Sequence, residues 1–190
     1  MADRPIPARS EVPEESTWNL KDVFESDEAW QAEYEALKTV PEQIETFRGK
    51  LGESAETLLS WFCLNDALSV RLEKLYGYAS CKGDEDTGNG FYQGMRAKAL
   101  ATLVAIDAAS AFETPEIMAL DEDTVNLFYA AQPELETYRR NIYKIRRRKA
   151  HILSPEEEKL LSAAGEMANA PENIASVFRD ADLTFPDVTD

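Results

Sequence analysis

Apolar residues recur along most of this chain at three- and four-residue steps, the spacing of one helical face. The clearest series is Leu58, Trp61, Phe62, Leu64, Leu68, Leu72, Leu75, Tyr76 and Ala79, which predicts a helix opened by Ser54 and running to about Lys82. Upstream, Trp30, Tyr34, Leu37, Ile44 and Phe47 form a second stripe, with Ser26 as N-cap and Asp27 and Glu28 where the helix dipole favours acids. Pro41 predicts a break near Val40, and this stretch should end around Phe47, before Gly49. Residues 83–90, with three glycines, read as a turn-rich connection. A helix over 91–113 follows, with Ala97, Ala99, Ala101, Ala105, Ala108, Ala109 and Ala111 small enough to let a neighbour approach closely.

Thr114-Pro115 reads as a cap with proline at the first helical position, starting a short helix to about Ala119. Asp121 or Asp123 caps another up to Ala131, and Gln132-Pro133 starts a long basic helix to about Lys149. Ser154-Pro155-Glu156-Glu157 is a capping box opening a helix to Met167, and Pro171 starts a last one to Asp180. Residues 183–185 (Leu-Thr-Phe) read as a short strand. A lone strand leaves its backbone groups unpaired, so it is either a frayed tail or half of a pairing whose partner belongs to further chain, the reading preferred.

The expected class is therefore all-α, an array of six to eight helices with a short C-terminal strand that lacks its partner. Residues 1–16, rich in proline and charge, read as an extended arm. Trp18, Leu20, Val23 and Phe24 are apolar enough to dock residues 1–25 on the body through a helical turn. A helical lobe over 26–180 and the start of a strand or hairpin over 181–190 complete the organisation.

Charge narrows the function classes. The chain has 190 residues, 20 Lys+Arg against 36 Asp+Glu, and a net charge of −16. Such a surface argues against a general nucleic-acid binder and against attraction to anionic lipid. The N-terminus has no apolar targeting segment and no window approaches ~18 apolar residues, so a soluble cytoplasmic protein is expected. Cys63 and Cys81 stand 18 residues apart on one predicted helix, about five turns and ~27 Å, far beyond disulfide reach. They are expected to be small buried side chains on one face.

Candidate chemistry is sparse. With His151 as the one histidine, no HExxH zinc site and no paired Glu-x-x-His site can form. His151 lies between helices with no carboxylate placed to orient it, and reads as a loop residue. Asp84-Glu85-Asp86 invites a calcium reading, but Gly88, Asn89 and Met95 fall where an EF-hand loop needs an oxygen ligand, a glycine and a bidentate glutamate. Glu156, Glu157 and Glu158 belong to a first helical turn. Arg139, Arg140, Lys144, Arg146, Arg147, Arg148 and Lys149 place seven of the 20 basic residues within eleven positions. An RNA site is one reading and contact with another part of a larger protein a second. A structural role is preferred: cations near a helix C-terminus complement its dipole, Arg139, Arg140 and Arg147 lie where acidic neighbours can pair with them, and Tyr138, Ile142, Tyr143 and Ile145 read as the apolar face. From the residues alone, no catalytic, cofactor-binding or metal-ligating side chain is assigned.

Several segments in order resemble the N-terminal region of the oligoendopeptidase F family, zinc metallopeptidases of the thimet-oligopeptidase type. They are Trp18-Asn19-Leu20 with Ser26-Asp27-Glu28-Ala29-Trp30, Phe47-Arg48-Gly49-Lys50-Leu51, Leu72-Glu73-Lys74-Leu75-Tyr76 with Tyr78-Ala79, and Asp84-Glu85-Asp86-Thr87. Pro115-Glu116-Ile117, His151-Ile152-Leu153-Ser154, Glu157-Glu158 with Leu160-Leu161-Ser162, and Ala181-Asp182-Leu183-Thr184-Phe185-Pro186 continue the series. The resemblance implies an N-terminal helical lobe that roofs the channel of a peptidase about three times as long and restricts it to short peptides. It implies zinc in the absent catalytic part, where the metal polarises the scissile carbonyl and a glutamate of HExxH acts as base. No residue here matches that motif, so none is carried over. The partners implied are the protein's own C-terminal catalytic domain and short peptides, with no nucleic acid and no membrane. The alternative from another class is a stand-alone helical interaction or regulatory module.

Overall fold

The computed structural model describes residues 9–151 and positions 171, 174, 175 and 178. The helix expected over 154–167, most of that over 171–180, and the strand over 183–185 lie outside the described residues. The chain divides into two compact units, 1–147 and 148–190. The second contributes a 3-10 turn at Arg148–His151.

The first unit is a helical array with seven α-helices among the described residues: α1 (Asp27–Leu37), α2 (Val40–Glu45), α3 (Ala55–Glu85), α4 (Gly90–Ser110), α5 (Glu113–Ala119), α6 (Glu122–Ala131) and α7 (Arg139–Arg147). No strand occurs among the described residues. Its axis is α3, 31 residues and therefore ~46 Å long. Asp86 to Asn89 turn the chain back, so α4 lies antiparallel beside it. Buried Met95, Ala99, Thr102, Ile106 and Ala109 alternate in steps of four and three along α4. Leu68, Leu75 and Ala79 of α3 are buried in the same rhythm, with Leu72 partly buried between them. A seven-residue repeat keeps the two seams facing each other along the hairpin.

Side-chain oxygens set the starts. Ser26 Oγ accepts from the Ala29 amide (3.3 Å), Ser54 Oγ from Thr57 (3.1 Å), and Asp121 Oδ1 from Thr124 (2.7 Å), which decides between the two candidate caps of α6. Pro41 falls in the first turn of α2, and the break it causes lies at Lys38 and Thr39.

Trp30, fully buried on α1, donates its indole N–H to the Leu75 carbonyl of α3 (2.8 Å), and Arg71 pairs with Glu33 (2.6 Å). Trp61 of α3 lies between the rings of Phe47 and Phe112. Gly49, at φ +79°, makes the turn before α3 in a conformation side chains disfavour. Glu116 of α5 accepts from the Gly49 and Leu51 amides there (2.6 and 3.1 Å). Burial pushes the Glu113 carboxyl up, opposed by the neighbouring Trp61 indole. That indole N–H itself finds no acceptor in hydrogen-bonding geometry among the described residues.

At the level of the elements, the structure differs from expectation in five places. Residues 9–11 and 14–16 form 3-10 turns where an extended arm was expected. Leu20, Val23 and Phe24 pack on the core beside the turn Leu20–Asp22, but Trp18 stands 87% exposed. The third helix of the sequence reading ends at Ser110, and α5 begins at Glu113 with no side-chain cap. Burial of Phe112 fixes that junction, so Thr114 is already inside the helix. The expected long basic helix starts as a 3-10 helix, Pro133–Tyr138, that buries Leu135 before α7 takes over. α3 continues to Glu85, burying Gly83 against Gln93, whose amide donates to the Gly83 carbonyl (3.2 Å).

Candidate functional site

Among the grooves lined by described residues of the first unit, two hold clusters of charged and phenolic side chains. The larger, of about 640 Å³, lies where the N-terminal turns meet α1 and α3, lined among others by Arg9, Trp18, Asp27, Tyr78, Lys82 and Glu85. Capping places Asp27 at the first position of α1, and there its carboxylate accepts from two phenols. Tyr78 Oη donates to Oδ1 (2.7 Å) and Tyr92 Oη to Oδ2 (3.2 Å), joining α1 to both arms of the hairpin. Burial and the neighbouring Asp27 push both phenols above the usual tyrosine range. Lys82 lies over both rings, and Glu85 takes Arg9 (3.2 Å) and Lys82 (3.8 Å). Asp27, Lys82, Glu85 and Arg9 thus engage one another and the two phenols; the arrangement is a clasp rather than a nucleophile with a base.

The second groove, of about 590 Å³, runs between α6 and α7. Arg139 stacks over the Tyr129 ring (4.1 Å) and forks onto Glu136 (2.5 and 2.6 Å), holding that carboxyl below its ordinary range. Arg146 donates to the Leu120 carbonyl (3.2 Å) and to Glu122 (2.7 Å). Burial raises Tyr129, with both arginines opposing the rise. Of the arginines expected to reach acidic neighbours, Arg139 pairs only within its own turn, while Arg140 and Arg147 form no ion pair among the described residues. Arg146, not singled out, makes the contact between helices. Arg146 is the penultimate residue of α7, and sequence spacing alone does not show that it reaches Leu120 and Glu122.

Other candidates separate. Asp84 pairs with Arg96 (3.3 Å), Glu85 with the basic pair above, and Asp86 accepts from the Gly88 amide (3.0 Å), so the three carboxylates serve a helix end and a turn. His151 ends the 3-10 turn, its side chain outside the described residues. Cys63 and Cys81 share a face of α3, but it is the solvent face, against expectation. Tyr143, expected on the apolar face of α7, is 62% exposed; Ile142 is buried and Tyr138 and Ile145 partly buried. Among the described residues, no group of three or more His, Cys, Asp or Glu side chains could hold a metal ion. Zinc therefore does not fit the residues described here. Nor is any helix among them long and apolar enough to cross a membrane.

A sequence model of the family described as Oligopeptidase F matches residues 116–185. Oligopeptidase PepF of Bacillus subtilis is 40% identical over 185 residues, 97% of this chain and 28% of that protein. The plasmid-encoded oligoendopeptidase F of Lactococcus lactis subsp. cremoris is 37% identical over 179 residues, 94% of this chain and 30% of its own length. The chain is similar to the N-terminal region of the oligoendopeptidase F family. It spans about 30% of the length of these relatives. The crystal structure of oligoendopeptidase-F from Enterococcus faecium superposes with a TM-score of 0.58 at 34% identity, over 86% of this chain and 32% of that one. A crystal structure from Chlamydophila abortus, at 23% identity and TM-score 0.79 over 97% of this chain, shares the fold. The ordered segments of the oligoendopeptidase F resemblance thus map onto structural joints. Ser26 caps α1, Gly49 makes the turn before α3, Leu75 receives Trp30, and Glu116 clamps that turn.

Proposed function

We propose that this chain is the helical lobe of an oligoendopeptidase F-type zinc peptidase. In this reading it roofs the substrate channel, limits hydrolysis to short peptides, and works only when joined to a C-terminal catalytic domain that carries the metal. The observation that supports the reading most directly is the match along nearly the whole chain to about 30% of longer proteins named oligopeptidases. The internal chemistry agrees with it: the groove carboxylates that touch a cation or a phenol hold helices together, so the lobe offers shape and rigidity rather than a reacting group. An enclosed channel selects substrates by size without reading their sequence. The protein would work in the cytoplasm, with no nucleic acid or membrane as partner.

A domain exchange tests this. The matched N-terminal region of the Bacillus subtilis oligopeptidase is replaced by this chain, and a quenched fluorescent oligopeptide is supplied. The hybrid is expected to cleave it, while the 190-residue chain alone with added zinc leaves it intact. Cleavage by the purified chain alone, or a folded hybrid with no turnover, would refute the proposal.

A further inference from the structure

Arginine pairing in this molecule is uneven. Arg9, Arg48, Arg71, Arg96, Arg139 and Arg146 each hold a carboxylate within 3.3 Å. Arg140, Arg147 and Arg148 hold none among the described residues, and they lie together at one place in the chain. In a protein with 36 acidic side chains against 20 basic ones, arginines left without a partner call for an explanation. On α7, Arg140, Tyr143, Lys144 and Arg147 follow the i, i+3, i+4, i+7 rhythm, so they form one stripe along the helix, and all four are exposed. Tyr143, 62% exposed, stands in its middle. The C-terminal dipole accounts for cations in the last turn, but Arg140 is at the other end of α7, where the dipole gives a cation nothing.

Beside the stripe lies the groove between α6 and α7, with Arg140 and Tyr143 on its lip. Arg139 and Arg146 are anchored there by Glu136 and Glu122 and are spent on the fold. Among the described residues Arg140, Lys144 and Arg147 hold no carboxylate, the two arginines offering the planar fork that suits carboxylates and Lys144 a point charge between them. An exposed phenol between cations gives apolar contact and a polar tip, as at protein recognition surfaces.

We propose that the Arg140–Tyr143–Lys144–Arg147 stripe is a docking surface for an acidic polypeptide segment, carboxylates meeting the cations and an apolar side chain covering Tyr143. Charge complementarity selects this partner. Nucleic acid is disfavoured because the net charge of −16 repels a polyanion at long range, while a short acidic segment reaches the stripe locally. The inference is independent of the peptidase reading, since it concerns binding by this chain alone.

The experiment is fluorescence anisotropy on the intact chain with a short fluorescein-labelled peptide of alternating glutamate and leucine. Its lysine-for-glutamate counterpart and a labelled oligouridylate serve as comparisons. The acidic peptide should bind most tightly, and added salt should weaken it. Arg140→Glu with Arg147→Glu should weaken binding by ~10-fold or more, and Tyr143→Ala by less. Lys74→Glu, on exposed α3 surface, should leave it unchanged. Circular dichroism checks that each variant keeps its helix. Equal binding of the acidic and lysine peptides, equal loss in the Lys74→Glu control, or tighter binding of the oligouridylate would each overturn the proposal.

Discussion

The α3–α4 hairpin and the α6–α7 pair bury their inner faces in the same way but differ in what they show to water. Along the hairpin's outer side, α3 presents Cys63, Ala67, Val70, Lys74 and Cys81, and α4 presents Ala97, Leu100, Ala101, Val104, Ala105 and Ala108. Those positions are mostly apolar, flanked by exposed Asp66, Glu73, Lys98 and Asp107, with Val70 55% and Val104 60% exposed. α7 instead turns out arginine, lysine and tyrosine. The difference shows how much a stripe of each kind reveals in advance. A charged stripe fixes which side is wet, because burying an unpaired charge is prohibitive. A stripe of alanine and cysteine fits either side, so periodicity finds the face without deciding its direction.

The sharpest test of that comparison contrasts two residues of α3 five positions apart. Leu75→Ala, on the buried seam, should cost about 2–5 kcal/mol in urea unfolding, while Val70→Ala should stay within about 0.5 kcal/mol. Equal effects would mean that the outer side is also covered. On α7, Arg146→Ala should cost about 1 kcal/mol through its two bonds, and Arg140→Ala close to nothing. Gly77 and Gly94 lie inside the hairpin helices with open space where a Cβ would stand. Gly77→Ala and Gly94→Ala should therefore each stabilise by about 0.5–1 kcal/mol. No gain would place unseen neighbours there.

Glu113 gives a pH-dependent test at the junction behind the hairpin. Its folded-state carboxyl is raised by burial, so the folded form favours the protonated acid. The native state is unpenalised below the unfolded value of about 4.3 and loses stability as pH rises through the higher folded value. Glu113→Gln should raise the urea midpoint at neutral pH and leave it nearly unchanged in acid. The smallest effect is chemical: both thiols should react with Ellman's reagent without denaturant, and Cys63→Ser should leave stability within about 0.5 kcal/mol.

Much of the fold was legible because its signals are local. Ser26, Ser54 and Asp121 cap helices through bonds within three residues, and the leucine rhythm of α3 marks its seam directly. What was not legible depends on partners far along the chain. Thr114-Pro115 has the composition of a helix start, yet Phe112 against Trp61 determines the junction. Pro133 does begin a helix, but burial of Leu135 and the Arg139–Glu136 pair at i,i+3 suit the tighter 3-10 winding. Trp18 is apolar enough for a core and meets none. At the grooves, the arginine run was visible as a run. Which members are consumed by carboxylates depends on Glu136, three residues before Arg139, and on Glu122, which spacing alone does not name. The stripe of Arg140, Tyr143, Lys144 and Arg147 is visible in a helical projection only once Tyr143 counts with the exposed side of α7 rather than the apolar one.

Asp27 accepts from Tyr78 and Tyr92 at once, and that sharing has an optical corollary. While α1 is seated, neither hydroxyl can surrender its proton without setting a phenolate against a carboxylate. Once α1 lifts away, both revert to ordinary phenols and ionise at milder alkalinity. The ultraviolet absorbance of those two rings, followed during an alkaline titration, is therefore a label-free gauge of whether the first helix is latched to the hairpin.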